Sequence, residues 1–120
     1  MNKITFGLIL LVITSLHCPS VHSGELCDCY GECVPVYQRN VSVYTKRQIK
    51  IMYGYLSYAQ MEIDHKIPLC LGGSNNIENL QPLSKNDHKI KTDHDLMLFN
   101  YVRQCMMTIK EAQSEVNNWK

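Results

Sequence analysis

The chain has 120 residues, with 12 Lys and Arg against 11 Asp and Glu, five His and six Cys. A net charge of +1 rules out identifying a partner from bulk charge. The length allows one small domain whose modest core calls for covalent or metal support.

The N-terminus reads as an address. After Lys3 the apolar run from Phe6 to Leu16 is too short to span a bilayer comfortably, and Pro19 and the step Val21-His22-Ser23 precede Gly24. This pattern predicts a signal peptide over residues 1–23, cut near Ser23, and a secreted or periplasmic protein with no membrane attachment after cleavage. A membrane anchor fits the length less well, and a lipoprotein box at Ser15 to Cys18 is spoiled by the bulky His17. The mature chain would hold 11 basic and 11 acidic residues, and Cys27, Cys29, Cys33, Cys70 and Cys105. An oxidising compartment would let some of these pair, and their odd number leaves at least one free or paired elsewhere.

Residues 24–36 form a cysteine-rich arm. Its opening GELCDCYGEC has neither helical nor strand period, and its Cys-x-Cys-x3-Cys spacing, lacking an obvious fourth ligand, suggests disulfides rather than a metal knuckle. The alternation of residues 34–44 predicts extended structure, and Thr45 caps a short helix through Tyr53, ended by Gly54. In MEIDHKIPLC, residues 61–70, the apolar positions Met61, Ile63, Ile67 and Leu69 share one parity, as in a half-buried strand, and Pro68 marks an edge or end. Asp64 and His65 interrupt this strand. The turn formers Gly72 to Asn76 fold the chain back, and Asn79-Leu80-Gln81-Pro82-Leu83 closes the segment.

A helix start is predicted at Thr92-Asp93-His94-Asp95, followed by Leu96, Phe99, Val102 and Met106 on one face. A second helix begins at Thr108 with Glu111 three places on, its apolar face running Ile109, Ala112, Val116 and Trp119. His65, His88 and His94 fall in one stretch with Asp64, Asn79, Asp87, Asp93 and Asp95. Two basic groups accompany them: Arg39, Lys46, Arg47 and Lys50, then Lys85, Lys89 and Lys91 around His88. Arg47, Lys85, Lys89 and Lys91 are candidate phosphate contacts, although a solvated face would look the same.

The run DHKIPLCLGGSNNIENLQPLSKNDHKIK resembles the HNH endonucleases, with Asp64-His65, Asn79 and His88 at the family's spacing. The likeness continues through Cys33, Tyr53-Gly54, Asp93, Arg103-Gln104-Cys105, Ala112-Gln113 and Asn118-Trp119, as in small secreted members. The resemblance implies an α+β fold, a small single domain over residues 37–120 with a ββα-metal core, behind the extended arm and with C-terminal helices. It gives His65 the role of general base, Asn79 that of fixing the His65 loop and ring, and Asp64 and His88 that of ligands to one divalent ion. Mg2+ is the foremost choice, with Mn2+ and Zn2+ permitted by the mixed donors. From the family's paired positions, Cys33 and Cys105 would bridge the arm to the helix end.

The chain also departs from that family. Ser84 and Asp87 stand where many members carry a second cysteine pair, so a structural zinc is not expected. Cys70 occupies a position that is acidic in secreted relatives, and Gln81 replaces a common tryptophan. His94 has the wrong spacing from Asn79 for a ligand and belongs on the helix surface. The function implied is metal-dependent hydrolysis of nucleic acid, DNA before RNA, with little sequence preference, by a monomer whose inhibitor, if any, is unknown. The rival readings are a nucleic-acid-binding protein that has lost catalysis and a disulfide-rich interaction module.

Overall fold

The computed structural model describes residues 24–54 and 60–120. The signal peptide expected over residues 1–23 lies outside the described residues.

The arm is more regular than its composition suggests. Strands β1 (Gly24–Cys27) and β2 (Cys33–Val36) pair antiparallel, from Gly24 opposite Val36 to Cys27 opposite Cys33. Asp28 turns the chain between them: its Oδ1 accepts from the backbone N–H of Tyr30 at 2.8 Å and of Glu32 at 3.0 Å. This side-chain-built turn replaces the periodicity by which a strand is usually recognised.

The disulfides differ from the expected pairing. Cys33 bonds Cys27 across the hairpin, and Cys105 bonds Cys29 at the hairpin tip, with 5.3 Å between their Cα atoms. The expected Cys33–Cys105 bridge is therefore wrong. Cys33 and Cys27 are register partners, which places their side chains within bonding distance, whereas Cys29 lies in the turn that docks on Cys105. Two more contacts fix this docking: Tyr30 donates its hydroxyl to the Cys105 carbonyl at 2.7 Å, and Asp28 Oδ2 accepts from Ile109 N at 2.9 Å.

Helix α1 (Val43–Met52) starts two residues before the expected cap, because the Ser42 hydroxyl accepts from Thr45 N. The extended run expected over residues 34–44 thus divides into β2 and the start of α1. Strands β3 (Met61–His65) and β4 (Leu80–Ser84) pair antiparallel with Asp64 opposite Gln81 and His65 opposite Leu80. β3 stops at His65, and Leu69–Leu71 form a 3-10 turn rather than continuing the strand, so the parity at Ile67 and Leu69 belongs to the loop. Gly73 is required there, since a Cβ would overlap the Ile67 carbonyl.

Helix α2 (Lys85–Arg103) follows β4 directly, with Ser84 capping through Asp87 N. It begins seven residues before the Thr92 start read from the sequence. Thr92 is interior, its hydroxyl turned back on the His88 carbonyl at 2.8 Å. This early start puts His88 on a helix packed against the hairpin, completing a ββα unit. Helix α3 (Ile109–Glu115) opens with the reciprocal Thr108–Glu111 cap that the sequence predicts.

The main core joins Leu26 and Val36 of the arm to Leu71, Leu98, Phe99, Val102, Ile109, Ala112 and Val116. Each large side chain buried there stabilises by about 1.5–3 kcal/mol. Met106, placed on the apolar face by spacing, is exposed. A smaller cluster of Ile49, Ile63 and Leu80 fastens α1 to the hairpin. The architecture is α+β with a ββα core.

Candidate active site

Strand alternation divides the neighbouring pair. Asp64 faces α2 together with Glu62, whereas His65 turns toward the segment after β2. Both Asp64 and His65 are buried.

On the α2 side, His88 Nε2 lies 3.7 Å from Asp64 Oδ1. That is too long for a hydrogen bond, but two ligands of one ion at about 2.1 Å stand roughly 3.0–3.6 Å apart. Glu62 Oε2 is 2.7 Å from His88 Nδ1. A carboxylate only accepts, so the proton sits on Nδ1 and the Nε2 lone pair faces Asp64. Asp64 Oδ1 and His88 Nε2 are therefore placed where they could hold a divalent cation, with Glu62 orienting the ring.

The other oxygen of Asp64 is occupied. Oδ2 lies 3.1 Å from Lys91 Nζ and accepts from Gln81 Nε2 at 3.1 Å. Lys91 is completely buried, and its ammonium also donates to Asp95 Oδ2 at 2.7 Å and to the His65 carbonyl at 3.0 Å. Its three protons thus have three acceptors, which excludes the expected phosphate contact by Lys91. Lys85, Lys89 and Arg47, by contrast, are exposed. Burial pushes Asp95 up to about 7 against the pull of Lys91, and its Oδ1 is buried without a partner.

On the opposite side, His65 Nε2 is 3.0 Å from Asn75 Oδ1. The Asn75 amide is oriented independently: Nδ2 donates to the Gln38 carbonyl at 2.8 Å, and Oδ1 accepts from Asn40 N at 3.0 Å. Nε2 must therefore carry the proton, leaving the lone pair on Nδ1. Arg39 Nη1 lies 3.4 Å from that atom, while Nη2 donates to the Ile63 carbonyl at 3.0 Å. Burial holds the imidazole below its ordinary value, Arg39 and Lys91 reinforce this, and Asn75 and Asp64 oppose it. A neutral imidazole with a fixed unprotonated nitrogen can accept a proton at neutral pH.

Asn79 holds the loop and leaves the ring to Asn75. Its Oδ1 accepts from Ile67 N at 2.9 Å, and its Nδ2 donates to the carbonyls of Ile67 and Ser74, each at 2.9 Å. The expected contact of Asn79 with the His65 ring is absent from this set. Sequence alone does not single out Asn75, Arg39, Asp95, Glu62 or Gln81 as site residues, and it assigns Lys91 to phosphate rather than to Asp64. Asn75 looked like turn chemistry, and Gln81 like a lost tryptophan. Only the stripe His88, Lys91, Asp95 at helical spacing offered a signal.

Glu25, Cys27 and Cys33 also cluster, but the sulfurs of the two cysteines are bonded to each other, which leaves no thiolate to bind a metal. Cys70 packs in the main core, away from the Asp64 and His88 donors. His94 lies on the far side, with Nε2 2.9 Å from the Glu115 carbonyl.

Among protein families, the HNH endonuclease model matches residues 47–94, from within α1 through the hairpin to the middle of α2. Comparisons with curated proteins and with solved structures give no match. HNH nucleases act on nucleic acid with a divalent metal, and the matched segment contains Asp64, His65, Asn79 and His88. Residues 47–94 match the HNH endonuclease family, and that segment holds β3, β4 and the first half of α2.

Proposed function

We propose that the protein is an exported endonuclease that hydrolyses phosphodiester bonds in nucleic acid, DNA before RNA, with a single divalent cation, Mg2+ first. The observation carrying this reading is the 3.7 Å gap between Asp64 Oδ1 and His88 Nε2, one strand position from a neutral His65. Residues 1–23 act as its signal peptide, and the mature chain works as a monomer.

A cation between Asp64 and His88 would supply positive charge to the phosphate and to the departing oxygen. His65 Nδ1 accepts the proton of the attacking water as the new P–O bond forms and the bond to the sugar oxygen breaks. The imidazolium so formed donates through Nε2–H to Asn75 Oδ1, a bond strengthened by the new charge. Arg39, beside Nδ1, offers its remaining N–H groups to a phosphate oxygen and disfavours retention of the proton after the reaction. Asn79 keeps the loop from Ile67 to Ser74 closed, which holds Asn75 at the ring. Lys85, Lys89 and Arg47 contact the substrate backbone, consistent with weak sequence preference.

The test is a plasmid assay with and without chelator. Purified protein with Mg2+ or Mn2+ should nick and then degrade plasmid, and His65→Ala should remove about 10²–10⁴-fold of the rate without altering the circular dichroism spectrum. Plasmid retained on a gel but uncut with every metal would overturn the enzymatic reading.

A further inference from the structure

The buried Lys91 ammonium takes no part in the proposed hydrolysis, yet it touches both strand residues that do. Its contacts point to a role in choosing the cation. Three acceptors surround Nζ at 2.7, 3.0 and 3.1 Å, and one of them is the Asp64 oxygen turned away from His88. Gln81 adds a second donor to that same oxygen. Only Oδ1 is then left to face a cation, with a nitrogen as the other protein donor. Of the other carboxylates nearby, Glu62 is engaged with His88 Nδ1, and Asp95 has its Oδ2 on the ammonium and is buried.

We infer that Lys91 is a positioning residue that restricts Asp64 to binding a cation through one oxygen, so that the centre accepts Mn2+ and similar small ions and discriminates against Ca2+. Ca2+ takes 6–8 oxygen ligands and commonly uses both oxygens of a carboxylate, whereas smaller ions are satisfied by single-oxygen carboxylates, imidazole and water. The ammonium also offsets one negative charge beside the centre, which penalises most the ion that depends on carboxylate charge. This inference rests on the proposed Asp64–His88 cation site and adds to it the basis of ion choice.

At about pH 8, where Asp95 is ionised, the double variant Lys91→Met/Asp95→Ala removes one positive and one negative charge together, so a change in ion preference reports loss of the ammonium from Asp64 Oδ2 rather than altered net charge. Calorimetric titration of the full protein with Mn2+ and with Ca2+ should show the preference for Mn2+ falling by about tenfold or more in the variant. The wild type supplies a second readout that needs no variant at this position. The Mn2+-induced infrared difference spectrum should contain a widely split pair of carboxylate bands, characteristic of one-oxygen ligation and missing in Asp64→Asn. An unchanged ion preference in a folded double variant, or a narrow two-oxygen splitting in the wild type, would overturn the inference while leaving the metal site standing. Failure of the wild type to bind Mn2+ would overturn both. If the double variant does not fold, the wild-type infrared splitting decides the matter.

Discussion

Arg39 and His65, 26 residues apart in sequence, meet with the guanidinium Nη1 3.4 Å from the imidazole Nδ1. A cation set against a base favours its neutral form, and Asn75 on the opposite ring nitrogen acts the other way. The acid limb of the cleavage rate against pH should therefore lie below the ordinary imidazole value of 6.5. Arg39→Ala should move that limb to higher pH and Asn75→Ala to lower pH. Shifts of the same sign in both variants would show that the ring is not poised between these two groups.

The three hydrogen bonds of Asn79 are concentrated on one loop, joining Ile67 to Ser74. At about 1 kcal/mol each, Asn79→Ala should cost about 2–4 kcal/mol, read as a lower urea midpoint at unchanged slope. Activity should fall as well, because the same loop carries Asn75. An Asn79→Ala protein of wild-type stability would mean that the loop is held by other contacts.

The pairing of Cys29 with Cys105 closes a sequence separation of 76 residues, and that of Cys27 with Cys33 only 6. Loop-closure entropy then assigns about 4 kcal/mol to the first and about 2 kcal/mol to the second. The variant Cys29→Ser/Cys105→Ser should be the less stable of the two paired deletions by thermal melting. Non-reducing peptide mapping should recover Cys29 joined to Cys105, and recovery of Cys33 joined to Cys105 would refute the hairpin register.

Some of this could be read before any coordinates. The Asp64-His65 pair, the glycine turn and the Thr108–Glu111 cap are local signals, each governed by neighbours a few residues away, and the structure has them where the sequence puts them. Helix α2 starts early because Ser84 caps it, but Pro82 two residues before makes the segment read as the end of a strand. The burial of Lys91 was not legible, since a lysine in a basic run resembles a solvated one. Only the acceptors Asp64, Asp95 and the His65 carbonyl, brought in from two elements, make its burial tolerable. Arg39 and Asn75 escaped for a related reason: their meeting at His65 depends on how the segment after β2 lies over the loop, which no local period encodes.

The buried pair Lys91–Asp95 has a thermodynamic signature. Asp95 rises from 3.8 to about 7 on folding, so the native state holds a proton that the unfolded chain has lost across that interval. Its contribution to stability is present in full below about pH 4 and declines as pH rises toward 7. The stability advantage of the wild type over Asp95→Asn should therefore narrow between pH 5 and pH 7 in urea titrations. A gap that stays constant over that range would mean that Asp95 is ionised throughout and held so by Lys91. Lys91→Met alone, which strands the Asp64 carboxylate without its cation and leaves Asp95 to take up a proton, should cost about 3–5 kcal/mol at neutral pH.

The central claim is that Asp64 and His88 share one divalent cation beside His65. Anomalous diffraction from crystals grown with Mn2+ tests it most directly. A single peak about 2.0–2.3 Å from both Asp64 Oδ1 and His88 Nε2, and lost in His88→Ala, is the predicted result. An ordered site without a peak there, or a peak held by other residues while the protein still cleaves DNA, would contradict it.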